Sequence, residues 1–166
     1  MTRMRWLRHL LSNHWTLKRR FPNPTLDAIE AAVAASELRH RGELRFAIES
    51  ALDVRALWRA LPARERALQA FAELRVWDTR EQNGVLIYML LADRDVEIVA
   101  DRGFEGRVRP EEWHDVCAAI EREFHDGRWH EGALLAVDGV TALATREFPR
   151  TAAPDVNEQP NRPRIL

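Results

Sequence analysis

Asn83-Gly84-Val85-Leu86-Ile87-Tyr88-Met89-Leu90-Leu91-Ala92-Asp93-Arg94-Asp95-Val96-Glu97-Ile98-Val99 reads as a buried strand, a tight turn and a returning strand. The unbroken apolar run from Val85 to Ala92 suits a central strand covered on both faces, because an edge strand would alternate with polar residues. Asp93-Arg94-Asp95 supplies a polar turn, and Val96-Glu97-Ile98-Val99 alternates again, as a strand with one face less buried does. So short a turn cannot make a parallel crossover, so the pair is expected to be antiparallel. Asp101-Arg102-Gly103-Phe104-Glu105-Gly106 follows as a bent polar loop. This reading places Asp93, Arg94, Asp101 and Glu105 within reach of one another at or near one end of a sheet.

Outward from this hairpin the signals are mostly helical. Leu26, Ile29, Val33 and Leu38 form a stripe after the Phe21-Pro22-Asn23-Pro24 breaker, and Glu43 to Ser50 alternates as a further strand. Asp53 caps a helix carrying Val54, Leu57, Trp58 and Leu61; Pro62 interrupts it, and helix resumes over 63–76. Pro110-Glu111-Glu112 opens another helix in the favoured way, with proline and acids in the first turn. Its stripe of Trp113, Val116, Cys117, Ile120 and Phe124 ends at Gly127, and a last helix follows Gly132. These elements predict a three-layer α/β/α sandwich with a small mixed sheet built from 43–50, 84–92 and 96–101. Three segments are expected: a basic amphipathic stretch over 1–24, the domain over 25–148, and a disordered tail over 149–166, where four prolines stand among few apolar residues.

The 166 residues suffice for one domain with a core of its own, and the apolar (46%) and charged (31%) fractions are those of a globular protein. A net charge of −1 gives the molecule as a whole no electrostatic case for nucleic acid. A single cysteine, Cys117, excludes an internal disulfide and fits a reducing compartment. No stretch reaches membrane-spanning length, and no secretory signal is legible, so a cytoplasmic location is expected. The exception to charge balance is the start: Arg3, Arg5, Arg8, Lys18, Arg19 and Arg20 precede any acidic residue. They surround an apolar stripe of Met4, Leu7 and Leu11 on a helix over 4–17. If that stripe is free, it would hold the chain at the inner face of a membrane; the expectation is that it packs into the domain instead.

Five pieces in order resemble the TPM domain family over residues 25–148. They are Gly42-Glu43 entering the first strand, Asn83-Gly84-Val85-Leu86, Asp93-Arg94 through Gly103-Phe104-Glu105-Gly106, Phe124-His125-Asp126-Gly127-Arg128-Trp129, and Gly132. The resemblance implies an α/β/α sandwich, an envelope or membrane-proximal setting for many members, calcium binding in some, and acid phosphatase activity described for some. Gln82 stands where members commonly have aspartate, which weakens a carried-over cation site.

Weighed as chemistry, calcium takes six to eight oxygens, so a site at the sheet end would draw on Asp78, Asn83, Asp93, Asp101 and Glu105. Asp93-Arg94-Asp95-Val96 superficially resembles a dehalogenase-type phosphatase signature, but the chain turns back as a strand where that fold crosses to a helix. Glu121 and His125 lie one turn apart, whereas His114 is about 16 Å along the axis from His125, so three ligands do not converge. His40 and Glu43, near acids Glu30 and Glu37, suit a helix end beside a solvated face better than an acid–base pair. Cys117 sits in an apolar stripe, as an inert thiol does. Trp58 and Trp113 are expected in the core, while Trp77 and Trp129 fall at element ends. With Arg94 and Glu105, these last two tryptophans make a candidate partner-contact set. The expected function is a non-catalytic module binding a protein partner through sheet-end loops; the alternative is a divalent-cation-dependent phosphatase using the same carboxylates.

Overall fold

The computed structural model describes residues 3–12, 14–152 and 156–166. Two short helices, α1 (Arg3–Leu11) and α2 (His14–Arg20), precede α3 (Asn23–Glu37), β1 (Glu43–Glu49), α4 (Val54–Trp58) and α5 (Ala63–Glu73). The hairpin β2 (Gly84–Leu90) and β3 (Asp95–Ala100) follows, then a 3-10 turn (Arg102–Phe104), α6 (Pro110–His125), α7 (Trp129–Glu147) and β4 (Arg164–Ile165). The sheet order is β3-β2-β1-β4. β2 pairs antiparallel with β3 and parallel with β1, and β4 lies parallel to β1. The first parallel connection passes through α4 and α5, which supply the crossover that a hairpin turn cannot.

Alternation along the central strands divides the interior in two. Leu44, Phe46, Ile48, Val85, Ile87 and Met89 face the layer of α3, α6 and α7, where Ile29, Val33, Ile120, Phe124 and Val140 meet them. Ala47, Leu86, Tyr88 and Leu90 face α4 and α5, packing on Leu57, Ala67 and Ala70. Every residue of β1 and β2 is buried, as the unbroken apolar run of β2 requires. Gly84 is a position of close approach: a Cβ there would stand 2.0 Å from the Val76 carbonyl oxygen.

The charged residues of β1 find partners on the thinner side. Tyr88 donates to Glu49 at 2.7 Å, and Arg66 Nε donates to the same oxygen at 2.9 Å. Burial, with Glu49 beside it, raises the Tyr88 pKa and keeps the phenol protonated. Arg45 donates to the carbonyls of Pro160 (2.6 Å) and Arg162 (3.1 Å), while Glu43 accepts from the Glu158 and Gln159 amides. The expectation of a disordered tail is therefore corrected over 156–166. Prolines and scarce apolar residues deny that stretch a core of its own, but β1 offers it both a strand edge and two charged anchors. Residues 153–155 lie outside the described set.

The start of the chain departs further. The expected single helix is two, since the chain leaves helical form at Ser12; Met1, Thr2 and Asn13 of that segment lie outside the described residues. Met4 (70% exposed), Leu7 (55%) and Leu11 (66%) do not pack into the domain. The opposite face of α1 docks, through Arg5, His9 and Trp6. Trp58 is likewise exposed rather than in the core. Among the described residues no helix is long and apolar enough to cross a membrane.

Candidate functional site

The antiparallel register separates residues that the sequence reading grouped. Leu90 faces Asp95 at one end of the hairpin and Val85 faces Ala100 at the other. The five intervening steps span about 17 Å at the rise of a strand. Asp93 and Arg94 therefore stand at the opposite end of the sheet from Asp101 and Glu105, and the single sheet-end site is corrected to two ends.

At the Asp93 end, the carboxylate receives α1. Arg5 Nε donates to Oδ2 at 2.9 Å, His9 Nε2 lies 3.1 Å from Oδ1, and Arg8 approaches to 3.7 Å. His9 Nδ1 accepts from the Leu52 amide at 3.0 Å, so the ring's proton is on Nε2, facing Asp93. Burial works against the Asp93 charge, but the contacts of His9 and Arg5 outweigh it and hold its pKa below the usual carboxylate value. Arg94, in the left-handed region at φ 55°, donates to the His125 carbonyl at 3.3 Å and lies 6.0 Å from the Trp129 ring. Arg20 stacks on the same ring at 4.3 Å.

At the other end, Asn83 is buried and donates to the Arg41 carbonyl, and Asp101 accepts from the Arg102 amide at 2.8 Å. Asp78 pairs with Arg75 at 2.6 Å on the surface, and Arg75 lies 5.7 Å from the half-exposed Trp77 ring. Glu105 is exposed. These five candidates do not fit a calcium ion: Asp93 is remote and ion-paired, Asp101 closes its own turn, and Asp78 is held by an arginine. Among the described residues no three His, Cys, Asp or Glu side chains are placed to hold one metal ion.

A groove of about 670 Å³ joins the two ends. It runs along β3, the outer strand of the sheet, with α6 as its far wall. Asp95, Glu97, Asp101, Glu105 and Glu121 line it, against Arg64 and His114, with Phe104 and Trp113 between them. Sequence reasoning missed this site, although the alternation of β3 and the Glu121 position on α6 were visible. Burial, then the charges of Glu97, Glu121 and Asp93, push the Asp95 carboxyl up to about 6. Burial likewise pushes the Cys117 thiol up to about 12, so it is not a nucleophile at neutral pH. The strand edge is closed by side chains: Glu121 accepts from the Val96 amide at 3.3 Å, and Arg64 donates to the Ile98 carbonyl at 2.6 Å. This blunts an edge that would otherwise invite another strand.

Fold and groove together define a class: a small three-layer domain with a hairpin at the margin of its mixed sheet and a polar groove along the hairpin. The model of the TPM domain matches residues 20–143, and the chain belongs to that family. Among solved structures it is similar to the NMR structure of the BA42 protein from the psychrophilic bacterium Bizionia argentinensis. The TM-score is 0.73 and the identity 26%, over 86% of this chain and 93% of that one. No curated protein matches.

Proposed function

We propose that the chain is a non-catalytic TPM-type interaction module whose protein partner is an extended segment carrying cationic side chains, seated in the groove along β3. The observation that carries the reading is the groove itself: it links the Asp95 turn to the Asp101–Glu105 loop, and its charged side chains are carboxylates except for Arg64. The crowding that pushes Asp95 up is relieved when a lysine or arginine enters, since an opposite charge within about 4–6 Å favours the ionised carboxylate. Arg64 and Glu121 already engage the β3 edge, so recognition runs through side chains rather than an added strand. Phe104 and Trp113 offer the apolar floor on which an aliphatic stem lies.

The competing reading is a divalent-cation-dependent phosphatase, whose metal ion would have to draw these carboxylates together, since no three among the described residues are placed around one point. The two separate in parallel measurements. Amide shifts of the labelled protein are followed on adding a peptide of alternating lysine and valine, with a glutamate–valine peptide as control. Hydrolysis of p-nitrophenyl phosphate is followed with and without calcium or magnesium. The interaction reading expects salt-sensitive shifts in β3 and α6 with the lysine peptide alone, reduced by Glu97→Lys. Metal-dependent turnover abolished by Asp95→Asn would replace it with the phosphatase.

A further inference from the structure

A surface helix ordinarily buries its apolar stripe and shows its charges to water. In α1 the arrangement is inverted. Arg5 and His9 face inward, tied to Asp93 and to the Leu52 amide, and Arg5 also donates to the Leu61 carbonyl at 3.1 Å. Met4, Leu7, Leu10 and Leu11 face outward, and Trp15 of α2 is 81% exposed. Water is a poor solvent for such a contiguous apolar face, so something other than water covers it in the working protein.

Charge says what. No acidic residue precedes Asp27. Lys18 and Arg19 are exposed beside the patch, as is Arg8, which reaches Asp93 only at 3.7 Å, whereas Arg5 and Arg20 are engaged with the domain. The Arg3 side chain lies outside the described set. Next to Trp15 is a hollow of about 600 Å³ lined by Thr16, Arg19, Arg20, Gly127 and Trp129. Arg20 and Arg94 both lie over the Trp129 ring, and their donors go to the carbonyls of Leu91 and His125. Among the described residues no carboxylate pairs with either guanidinium, so an anion entering the hollow would meet uncompensated positive charge. Burial and the neighbouring Arg94 both lower the Arg20 pKa, the direction that an incoming anion reverses.

We propose that α1 and α2 dock the protein on an anionic lipid bilayer, with Met4, Leu7, Leu10, Leu11 and Trp15 below the headgroups and a lipid phosphate in the hollow lined by Arg19 and Arg20. An apolar face flanked by cations and free of acids is the pattern of an interfacial helix, with tryptophan at the headgroup boundary. The polar anchors of α1 are what leave its apolar face available, so the Asp93 end of the sheet is the end brought to the lipid.

The test is co-sedimentation of the full chain with vesicles of equal parts phosphatidylglycerol and phosphatidylcholine, against phosphatidylcholine alone, at low and high salt. Salt-sensitive pelleting on the anionic vesicles is expected, abolished by Leu7→Glu with Leu11→Glu at an unchanged melting temperature. Lys18→Gln with Arg19→Gln should weaken partitioning roughly twenty-five-fold, about five-fold for each cation. This second pair sits on exposed positions and does not depend on the first variant folding. Failure of the native chain to pellet, equal pelleting on neutral vesicles, or pelleting untouched by either pair would overturn the proposal. So would a concentration-dependent dimer dispersed by the leucine pair, which would make a second copy the cover. Inorganic phosphate without vesicles should leave the tryptophan emission of the chain unchanged; a saturable shift with no pelleting would overturn the lipid assignment.

Discussion

Replacing Asp93 with asparagine tests whether α1 is held to the domain by charge rather than by apolar burial. In the native protein Arg5 Nε reaches Asp93 at 2.9 Å and His9 Nε2 lies at 3.1 Å. The Asp93 side chain is 11% exposed, Arg5 18% and His9 0%, so water screens little of the interaction. Asparagine keeps an acceptor but loses the charge, which weakens each contact by about 1 kcal/mol. Leaving Arg5 with a poorly compensated charge brings the total to about 2–3 kcal/mol. Because Trp6 is the part of α1 that packs against the core, the loss should appear as local undocking rather than global unfolding. The Leu52 amide reports it, since it donates to His9 Nδ1. Its hydrogen exchange should accelerate about thirty- to one-hundred-and-fifty-fold, while β2 amides stay protected. Acidification gives an independent arm. The folded Asp93 pKa lies below its unfolded value of about 3.9, so its stabilisation is complete above that value and is lost as pH falls through the folded one. Protection at Leu52 should fall below about pH 4 in the native chain and show no such step in the variant. A folded Asp93→Asn protein with unaltered Leu52 exchange would refute the account of how α1 is held.

Asp95 behaves in the opposite sense. Burial, together with Glu97, Glu121 and Asp93, pushes it up to about 6, so its contribution to stability declines as pH rises from its unfolded value through 6. Asp95→Asn should raise stability by about 1 kcal/mol at neutral pH and by almost nothing near pH 4, as measured by thermal unfolding; an equal gain at both would show that charge is not the cause. Gly84→Ala would put a methyl group 2.0 Å from the Val76 carbonyl and should cost about 2–3 kcal/mol in denaturant unfolding, whereas a loss below about 0.5 would mean that the loop after α5 yields freely. Arg45→Ala removes the bonds to Pro160 and Arg162, and trypsin should then cut after Arg164 faster with the domain intact. Unchanged digestion would assign tail retention to β4 pairing alone.

The hairpin, the helices on both faces and the family were legible in the sequence because their signals are local. An unbroken apolar run marks a strand buried on both faces, and a two- or three-residue polar break forces the next strand to return antiparallel. That same rule implies that Asp93 and Asp101 lie a strand length apart, a consequence that the spacing along the chain conceals. What periodicity cannot say is which way an element faces. The stripe of Met4, Leu7 and Leu11 established that α1 is amphipathic, but only tertiary structure, through the ion pair of Arg5 and the close contact of His9 with Asp93, decided that the polar face turns inward. The buried charges of β1 and the proline-rich tail likewise looked unrelated until Arg45 and Glu43 were seen to hold residues 158–162. The groove depends on α6 standing across from β3, a juxtaposition of residues far apart in sequence. Pattern along the chain follows from the burial each residue requires, whereas partners follow from where the folded backbone brings distant charges together, and no local signal carries that information.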